Sequence, residues 1–537
     1  MPRSLRSTTG GSRLQPKPKM QPQTKTHAHA HTRTSAHRYA RTFEILPVEI
    51  RQLIADCFEE DKDVASYRLI CKSTNYSIDE DEGSFWRTQF LNSYDPPESV
   101  PEGDRSTVNE WFKQQYQSRK RAEGQKFVFD SGNSEEEANC LVLFKDLLIG
   151  ACERMDIPTM LLIFQPDTFN TSVCKAKKQS VHSPNMDRIE RIAKAKGLLD
   201  CVLRRPTTRG NKSSTNPVLV VIQLILTHLS LTAPLSSKMA KVWGFPDTQA
   251  VVYLPNSSRP IFKGPTCQEV DIDWTLHVAS FFRNYLLSKQ EPTHIHYENL
   301  DRSERPQGWT KPLSTSPLKL GKHWKGTYAY VDHDEIAQIR SGFHEDYPVQ
   351  DHMCGEDTAE TFQDLRLGFP KGQLEFWPDI FEHILKSRAK IEYRTPTTRA
   401  RKRATGPDAL PEGEPVSFCF KGGGEDASEK FQASGWFNPL PPQHGIPGWH
   451  RMTMMKYYID ESSGQPDLDS LWAYEGVVLP GGMVMLGRWW SPTFDDGPEY
   501  SGPFIFWNVD ASMPAIADDT QTTGWAHRSS LDKHPTA

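Results

Sequence analysis

The residues best suited to chemistry lie in three short groups in the second half of the chain. Gly422 to Gly424 has the composition of a phosphate-binding loop, in which backbone N–H groups surround an anion. Glu425 and Asp426 follow at once, and their carboxylates would repel a phosphate. These glycines, which end an apolar stretch, are therefore interpreted as a turn. The sequence contains no P-loop, and no Gly-x-Gly-x-x-Gly motif opens a helix.

The other two groups contain side chains that can ligate a metal ion. The run from Asp332 to Glu335 is consecutive, so its side chains point in different directions, which favours a surface loop. His294 and His296 alternate as residues on one face of a strand do, but two histidines without a third ligand do not make a zinc site. A Gly-x-Ser-x-Gly elbow is also missing. The sequence therefore predicts no catalytic residue, no metal and no cofactor.

The composition indicates a folded protein with no general preference for nucleic acid or membrane. The 537 residues include 63 Lys or Arg and 68 Asp or Glu, so neither charge dominates the whole chain. Hydrophobic residues make up 37%, enough for folded cores, while the mean hydropathy of −0.61 indicates substantial loops. The length suggests about three or four domains. Nine cysteines without a Cys-x-x-Cys pair favour free thiols in a reducing compartment.

No stretch of the sequence predicts a membrane span or a secretion signal. The most apolar run, Val218 to Leu231, is too short and is interrupted by Gln223, Thr227 and His228. It predicts a buried helix that begins at Pro217. The N-terminus lacks the apolar core of a signal peptide. The expected localisation is the cytoplasm, the nucleus or both.

Both ends of the chain are predicted to be disordered. Residues 1–42 contain no Asp or Glu and are rich in Arg, Lys, Ser, Thr, Pro and His, so they have little to bury. Alternating His27, His29 and His31 fit a solvated tail better than a metal site. Residues 511–537 form the second tail.

Apolar residues at helical spacing organise the stretch from Phe43 to Phe90. Pro47 suits the first turn of a helix, and Glu49 suits its positive end. The apolar stripe of this helix comprises Leu46, Ile50, Leu53, Ile54 and Cys57. A second helix, with Asp61 or Asp63 as its cap, carries Val64, Tyr67, Leu69, Ile70 and Cys71. The acidic run Asp79 to Glu82 is interpreted as a loop that interrupts the last helix.

This pattern resembles an F-box. The matching residues are Leu46 to Ile50, Asp63 to Lys72, and Phe85-Trp86 on the following helix. Ser73-Thr74 departs from the family, in which many members have an aromatic residue. The family docks three helices onto a Skp-type adaptor of SCF ubiquitin ligases. The resemblance places an F-box at residues 43–95 and implies an adaptor-binding set of Leu46, Pro47, Ile50, Ile54, Val64 and Leu69. A helical hairpin inside a larger domain is the alternative interpretation.

Residues 96–270 are predicted to form a mostly helical connector. Trp111, Phe112 and Tyr116 suggest a short helix that packs back on the F-box. The acids from Glu135 to Glu137 precede apolar residues at helical spacing and predict a helix start. The polar stretch from Phe164 to Pro217 is broken by proline and predicts loops. Beyond the connector, Asp271 or Asp273 is expected to cap a helix that carries Trp274, Val278, Phe281, Phe282 and Tyr285.

Short, aromatic segments punctuated by glycine dominate from Leu320 onward. The predicted strands are His323–Tyr330, Val416–Phe420, Arg451–Tyr458, Ala473–Leu479, Met483–Trp489 and Phe504–Val509. Pro480-Gly481-Gly482 supplies a hairpin turn. Such a succession favours an antiparallel barrel or sandwich, from which 340–365 and 394–414 would be long inserts. Arg399 to Arg403, in the second insert, is either a nuclear import signal or a solvated basic loop.

A second resemblance concerns the C-terminal barrel of cyclin-D-binding F-box-only proteins, fungal members above all. It depends on the order of several short motifs: Trp324-Lys325-Gly326-Thr327-Tyr328, Phe420 to Asp426, Gly445 to Trp449, Trp472 to Gly476, Pro480-Gly481-Gly482 and Leu486 to Trp490. In that family the barrel recognises the substrate, which implies a substrate-recognition β-barrel at residues 271–510. Because aromatic residues and arginine are frequent binding anchors, the predicted pocket comprises Trp324, Tyr328, Trp449, Tyr474, Arg488, Trp489 and Trp490. The alternative for each tryptophan is a place in the barrel core.

Together these patterns predict an α+β protein with an F-box, a helical connector and an antiparallel β-barrel with long inserts. The expected function is that of a non-catalytic substrate receptor in an SCF-type ubiquitin ligase. Its expected partners are a Skp-type adaptor, a cullin bound through that adaptor, and a protein degron. Two alternatives stay open: an F-box protein with an adaptor role outside ubiquitination, and a barrel that binds a small ligand.

Overall fold

A computed structural model of the chain describes residues 43–58, 60–79, 83–97, 99–151, 183–200, 215–232, 245–264, 266–309, 313, 320–341, 349–354, 362–370, 374, 376–386, 417–426, 429–460, 462–492 and 500–510. The predictions for both tails, for the histidines at 27, 29 and 31, and for the basic cluster at 399–403 lie outside these residues. So do most of the two predicted inserts.

The protein has an α+β fold with a closed eight-stranded antiparallel β-barrel in its C-terminal part, which confirms the predicted fold class at this level. The chain divides into two compact units. The helical unit comprises the described residues up to Phe90 together with Pro101–Gln114. The barrel unit comprises Leu91–Val100 and the described chain from Gln115 onward. Among the described residues, no helix is both long enough and apolar enough to cross a membrane.

The helical unit is built from α1 (Val48–Asp56), α2 (Asp61–Arg68), α3 (Lys72–Asp79), most of α4 (Ser84–Ser93) and the start of α5 (Arg105–Gly124). Pro47 is the N-cap of α1 and Glu60 that of α2, so the predicted caps Asp61 and Asp63 lie in the first turn instead. The predicted last helix is two helices, and Gly83 before α4 has a φ of +69°. The predicted break at the acidic run therefore separates α3 from α4.

The helix that carries Trp111 and Phe112 is α5, and it is longer than predicted. It runs for 20 residues because no glycine or proline interrupts it before Gly124. Phe90 packs against both aromatic rings, with ring centroids 6.3 Å from Trp111 and 5.2 Å from Phe112. This contact confirms that the segment packs back on the preceding helices.

In the part of the chain that the structure describes, seven helices of the barrel unit precede the barrel strands, and several of them begin at a capping residue. They are α6 (Glu135–Gly150), α7 (Pro184–Ala195), α8 (Pro217–Ile225), α9 (Thr227–Ser230), α10 (Phe245–Val252), α11 (Ile272–Leu287) and α12 (Pro292–Asn299). Ser134 and Glu137 form a capping box before α6, and the Asp271 carboxylate accepts the Trp274 N–H before α11. Pro217 begins the buried helix α8 as predicted.

Two local predictions in this unit were wrong. The predicted loop at 164–217 contains α7, which Ser183 caps and whose Ile189, Ile192 and Ala193 are buried. His294 and His296 lie on α12 and not on a strand, because Pro292 opens a helix. Residues two apart on a helix do not face each other. The His294 ring nitrogen Nδ1 hydrogen-bonds the Leu286 carbonyl over 2.8 Å.

The barrel closes through neighbouring antiparallel pairs. Its strands are β3 (His323–Tyr330), β5 (Gln363–Gly368), β6 (Phe418–Asp426), β7 (Glu429–Pro439), β8 (His450–Tyr457), β9 (Trp472–Val478), β10 (Val484–Trp490) and β11 (Ser501–Asn508). Each pairs with the next, and β11 pairs with β3, where Phe504 lies opposite Tyr328. The two-residue strand β4 (His352–Met353) adds to β3, and β1 (Phe262–Lys263) pairs with β2 (Glu269–Val270) separately.

Three glycines predicted as a turn lie inside β6. A Cβ at Gly422 would approach the Arg366 carbonyl oxygen to 1.9 Å, and one at Gly424 would approach that of Asp364 to 1.9 Å. The glycines therefore allow close strand pairing rather than a reversal of the chain. The predicted turn at 480–482 is confirmed, because Gly481 and Gly482 have φ of +92° and +69°.

The acidic run from Asp332 is also corrected. Helix α13 (His333–Ser341) follows β3 directly, so Asp334 and Glu335 lie in a first helical turn and not in an irregular loop. Acidic residues are favourable in this position because they interact with the positive end of the helix dipole. A further helix, α14 (Asp379–Leu385), covers part of the outer barrel surface through Phe381 and Leu385.

Candidate binding surfaces

Large apolar side chains are concentrated on the surface of the helical unit. Those at least 41% exposed there are Ile45, Ile50, Leu53, Leu69, Ile70 and Tyr76. Leu69 and Ile45 are 86% and 83% exposed. Single exposed apolar residues are ordinary, but several within about thirty residues typically mark an interaction site. We call Ile50, Leu53 and Leu69 the apolar face.

Helix α1 shows why these residues are exposed. Its buried side chains are Arg51 and Ala55, whereas Ile50 and Leu53, three residues apart on the opposite side, face solvent. The Arg51 guanidinium donates to the Phe43 carbonyl over 3.3 Å, and the Tyr67 hydroxyl donates to the Arg51 carbonyl over 3.1 Å. Since the charged residue is inside and the aliphatic residues are outside, α1 has an unusual distribution for a helix that meets only water.

The predicted adaptor-binding residues divide by exposure. Pro47, Ile50 and Leu69 are exposed, Leu46 and Ile54 are half-buried, and Val64 is buried at 7%. Val64 is therefore a core residue and has little surface to offer a partner. Leu53 and Ile70 are exposed members of the same apolar patterns that the predicted set left out.

Polar contacts hold the four helices beneath this face. The Gln52 amide donates to the Ser77 carbonyl and the Ser84 hydroxyl over 2.9 and 3.0 Å. Asp79 forms an ion pair with Arg68 and accepts the Trp86 indole N–H over 3.1 Å. These bonds join α1, α2, α3 and α4, so exposed side chains on α1 and α2 can change without opening the core.

The barrel interior is filled by large side chains on alternate strand positions. Its buried core includes Leu320, Trp324, Leu365, Leu367, Phe420, Phe431, Ala433, Phe437, Met452, Met454, Tyr474, Val478, Met485, Trp489, Phe504 and Phe506. Of the predicted pocket residues, Trp324, Tyr474 and Trp489 belong to this core, and Tyr328 packs against it. The strand register places Trp324 at one end and Tyr328 and Trp489 towards the other.

The end of the barrel near Tyr328 is lined by rings that are partly exposed. Tyr328, Tyr330, Tyr458, Trp472 and Tyr500 are half-buried and pack on the core, and we call these five residues the aromatic mouth. Trp489 lies beneath them, with ring centroids 5.4 Å from Trp472, 5.7 Å from Tyr500 and 5.8 Å from Tyr328. The Tyr500 hydroxyl donates to the Val331 carbonyl over 3.1 Å, which fixes one side of the mouth.

Lys456 lies below the aromatic mouth and was not predicted. It is 3% exposed, and its ammonium lies 4.5 Å from the Phe431 ring centroid and 5.4 Å from those of Tyr328 and Tyr458. Such cation–π contacts stabilise a desolvated cation. The sequence could have predicted this position, because Lys456 alternates with Met452, Met454 and Tyr458 and therefore lies on the same side of the strand as they do.

Three predicted pocket residues point away from the interior. Trp490 packs with Phe381 and Leu385 on the outer surface. The Trp449 indole N–H donates to the Ile446 carbonyl over 2.9 Å. Arg488 is completely buried outside the barrel, with its guanidinium carbon 4.6 Å from the Trp274 ring centroid. The structure therefore does not bring the seven residues together, because strand alternation separates Arg488 and Trp490 from Trp489.

A buried carboxylate holds the segment next to the mouth. Asp351, which is 2% exposed, accepts hydrogen bonds from the Tyr285 hydroxyl and the Gln249 amide, both over 2.6 Å. The next residue, His352, stacks on Tyr330 with ring centroids 5.2 Å apart. Burial raises the pKa of Asp351 to about 6, and the hydrogen bonds from Tyr285 and Gln249 lower it only in part.

Asp351 should make the protein less stable as the pH rises from about 4 to about 6. Because the folded-state pKa is raised above its ordinary value, the stabilisation is complete below the unfolded pKa and is lost as pH rises through the folded one. The difference in unfolding free energy between wild type and Asp351→Asn should fall by about 3 kcal/mol over this window. Urea unfolding at several pH values measures this difference.

Buried histidines change the stability with pH in the opposite direction, and the comparison of wild type with Asp351→Asn cancels their contribution. Burial lowers the pKa of His228 and His450 to about 4, so their stabilisation is lost as pH falls from about 6.5 to about 4. These losses occur equally in wild type and Asp351→Asn. A difference between the two proteins that did not change with pH would contradict the assignment of Asp351.

The described residues contain no group of three or more His, Cys, Asp or Glu side chains placed to hold a metal ion. No family model, no curated protein and no solved structure matches this chain.

Proposed function

We propose that this protein is the substrate-binding subunit of an SCF-type ubiquitin ligase. The helical unit docks a Skp-type adaptor through the apolar face, and the barrel unit binds a degron at the aromatic mouth. The protein itself is not catalytic: it holds a substrate lysine near a charged ubiquitin-conjugating enzyme, which raises the effective concentration of the lysine.

The observation that carries this proposal is the inverted burial on α1. The sequence pattern from Leu46 to Lys72 resembles an F-box, and its apolar residues Ile50, Leu53 and Leu69 are exposed while Arg51 is buried. A small helical unit of this kind leaves part of its apolar surface for a partner. Exposed aliphatic residues on α1 and at the end of α2 fit a hydrophobic interface with an adaptor.

The filled barrel interior supports recognition at its end. Trp324, Phe504 and Phe506 are each at most 1% exposed inside the strands. A barrel with such a core offers its rim and connecting turns to a partner, as loop-borne sites on rigid scaffolds do. This favours a peptide degron over an enclosed small ligand.

Ile50→Asp/Leu53→Asp/Leu69→Asp should abolish binding of a Skp-type adaptor. All three side chains are exposed, so the variant should fold, while three buried interface charges should weaken the complex by more than about 100-fold. Co-expression with the adaptor, followed by size-exclusion chromatography and calorimetry, measures the complex.

The matched control is Val142→Asp/Ile295→Asp, which changes two apolar residues of the barrel unit that are 62% and 61% exposed. It should bind the adaptor like wild type. If wild type forms no complex with the adaptor, the ligase assignment fails. If substrate turnover persists after loss of the cullin, the protein acts as an F-box adaptor outside ubiquitination.

A further inference from the structure

Exposed side chains around the aromatic mouth are predominantly acidic. Among the described residues of the strand ends and turns there, the exposed acids are Asp332, Asp334, Glu425, Glu429, Asp460 and Asp469. Lys430 is the exposed basic residue in the same set. The side chain of Asp334 is fully solvated. This end of the barrel therefore carries a negative field, although the charges of the whole chain nearly balance.

Several of these acids lie close to the aromatic rings. Glu429 begins β7 and lies two residues before Phe431, so both are on the same side of the strand. The Phe431 ring lies against Lys456 inside the barrel. Asp332 follows β3 by two residues. Burial is the main cause that raises the pKa of Tyr500, and the negative charge of Asp332 is the second. Asp460 follows Tyr458 by two residues at the end of β8. The negative charge therefore borders the aromatic surface.

The turn between β8 and β9 extends the mouth with apolar side chains. Ile459 and Leu468 are 41% and 59% exposed. Ile459 forms a bridge with Pro466, and the Asp467 N–H donates to the Tyr458 carbonyl over 2.9 Å, so the turn is held against the strand. A surface of five half-buried rings and two exposed aliphatic residues suits a peptide rather than a single small cation.

Lys456 is the opposing charge, and its position limits its influence. It is 3% exposed and enclosed by three rings, whereas the six acids are exposed around it. An approaching peptide meets the exposed charges first, because they act through solvent at long range. The same rings show that this part of the barrel accommodates a cation by cation–π contact.

We propose that the aromatic mouth binds a basic segment of a separate protein, one in which Lys or Arg residues flank apolar or aromatic residues. This rests on the proposed function, for which it names the substrate class. The basic side chains pair with Asp332, Glu429 and Asp460, and the apolar ones pack on Trp472, Tyr500 and the β8–β9 turn. Charge complementarity determines that the preferred peptide carries a net positive charge.

Fluorescence anisotropy on the full chain tests the proposal with two labelled pools of short randomised peptides. Both pools contain Trp, Leu and Ala, and one adds Lys and Arg while the other adds Asp and Glu. The basic pool should bind about ten-fold more tightly or better, and the preference should shrink between about 50 and about 200 mM NaCl.

Three variants assign the binding to the mouth. Asp332→Asn/Glu429→Gln/Asp460→Asn should weaken the basic pool about ten-fold and flatten the salt dependence. Ile459→Ser/Leu468→Ser should weaken it about three- to ten-fold without changing the salt dependence. The control Glu269→Gln/Glu298→Gln removes two exposed acids from β2 and α12 and should bind like wild type.

Tighter binding of the acidic pool would overturn the proposal and make Lys456 the dominant charge. The proposal would also be overturned if the mouth variants bound the basic peptide pool as tightly as wild type does. A gain in affinity on deletion of residues 1–42, which carry nine Lys or Arg and no acid, would show that the occupant is this chain's own tail. The assay contains no adaptor, so its outcome is independent of adaptor docking, and either test can fail alone.

Discussion

Arg488→Ala is expected to destabilise the barrel unit by about 2–5 kcal/mol and not to act as a binding-site mutation. The guanidinium donates to the Asn256 side chain over 3.0 Å and to the carbonyls of Arg259 and Leu254 over 3.3 and 2.7 Å. Three bonds from a charged donor contribute about 1.5–3 kcal/mol each. The contact with the Trp274 ring adds about 2 kcal/mol because both groups are desolvated.

Burial of the charge opposes these gains. It lowers the pKa of Arg488 to about 9, because desolvation disfavours the charged form. The bonds and the ring contact together outweigh this cost, so the sign of the expected effect is destabilising. Removal of the side chain also takes this donor away from the half-buried Leu254 and Arg259 carbonyls.

Urea unfolding measures the effect, with Arg366→Ala as the control. Arg366 is an exposed residue of β5, so its removal should change the unfolding free energy by less than about 0.5 kcal/mol. A folded Arg488→Ala protein of normal stability that lost its peptide ligand would contradict the structural role and restore the sequence prediction.

Gly422→Ala should destabilise the barrel by about 3 kcal/mol or more. The added Cβ would lie 1.9 Å from the Arg366 carbonyl oxygen and 2.9 Å from its carbonyl carbon. Backbone atoms cannot move aside as a flexible side chain can, so β5 and β6 would have to separate and lose hydrogen bonds. In a closed barrel this separation strains both neighbouring strand pairs as well.

Gly368→Ala is the matched control, because it lies in the same strand pair opposite Lys421. Its Cβ would lie 3.5 Å from the Lys421 carbonyl oxygen, which is an ordinary contact. Thermal unfolding should show a large loss for Gly422→Ala and a small change for Gly368→Ala. Equal stability of the two variants would show that the strands are not as closely paired as the structure has them.

Local signals in the sequence predicted many of the elements. Asp271 caps α11, Pro217 opens α8, and the glycines at 481 and 482 turn the β9–β10 hairpin, each through backbone geometry that involves only neighbouring residues. The alternation of β3 and β8 likewise predicted strands, and the apolar run of β11 predicted another. Closure of the barrel required the pairing of β11 with β3, which are far apart in the chain.

Where two local signals competed, the prediction followed the wrong one. Glycines predict a turn when backbone freedom is considered alone, but in β6 they are present because the β5 backbone leaves no space for a Cβ. The helix α7 was missed because prolines and polar residues around it suggested loops. Its own cap at Ser183 and the apolar spacing of Ile189, Ile192 and Ala193 were sufficient to predict it.

The sequence by itself determined the capped start of α11, the strands β3 and β8 to β11, and the apolar pattern of the helical unit, since these depend on neighbouring residues and their periodicity. Only the tertiary structure decided that Arg488 is a buried anchor, that Lys456 lies beneath the aromatic mouth, and that Val64 is buried while Leu53 is exposed. The physical reason is that burial and charge environment depend on residues far apart in the chain. For Arg488 the partners Leu254, Asn256 and Arg259 are more than 220 positions away.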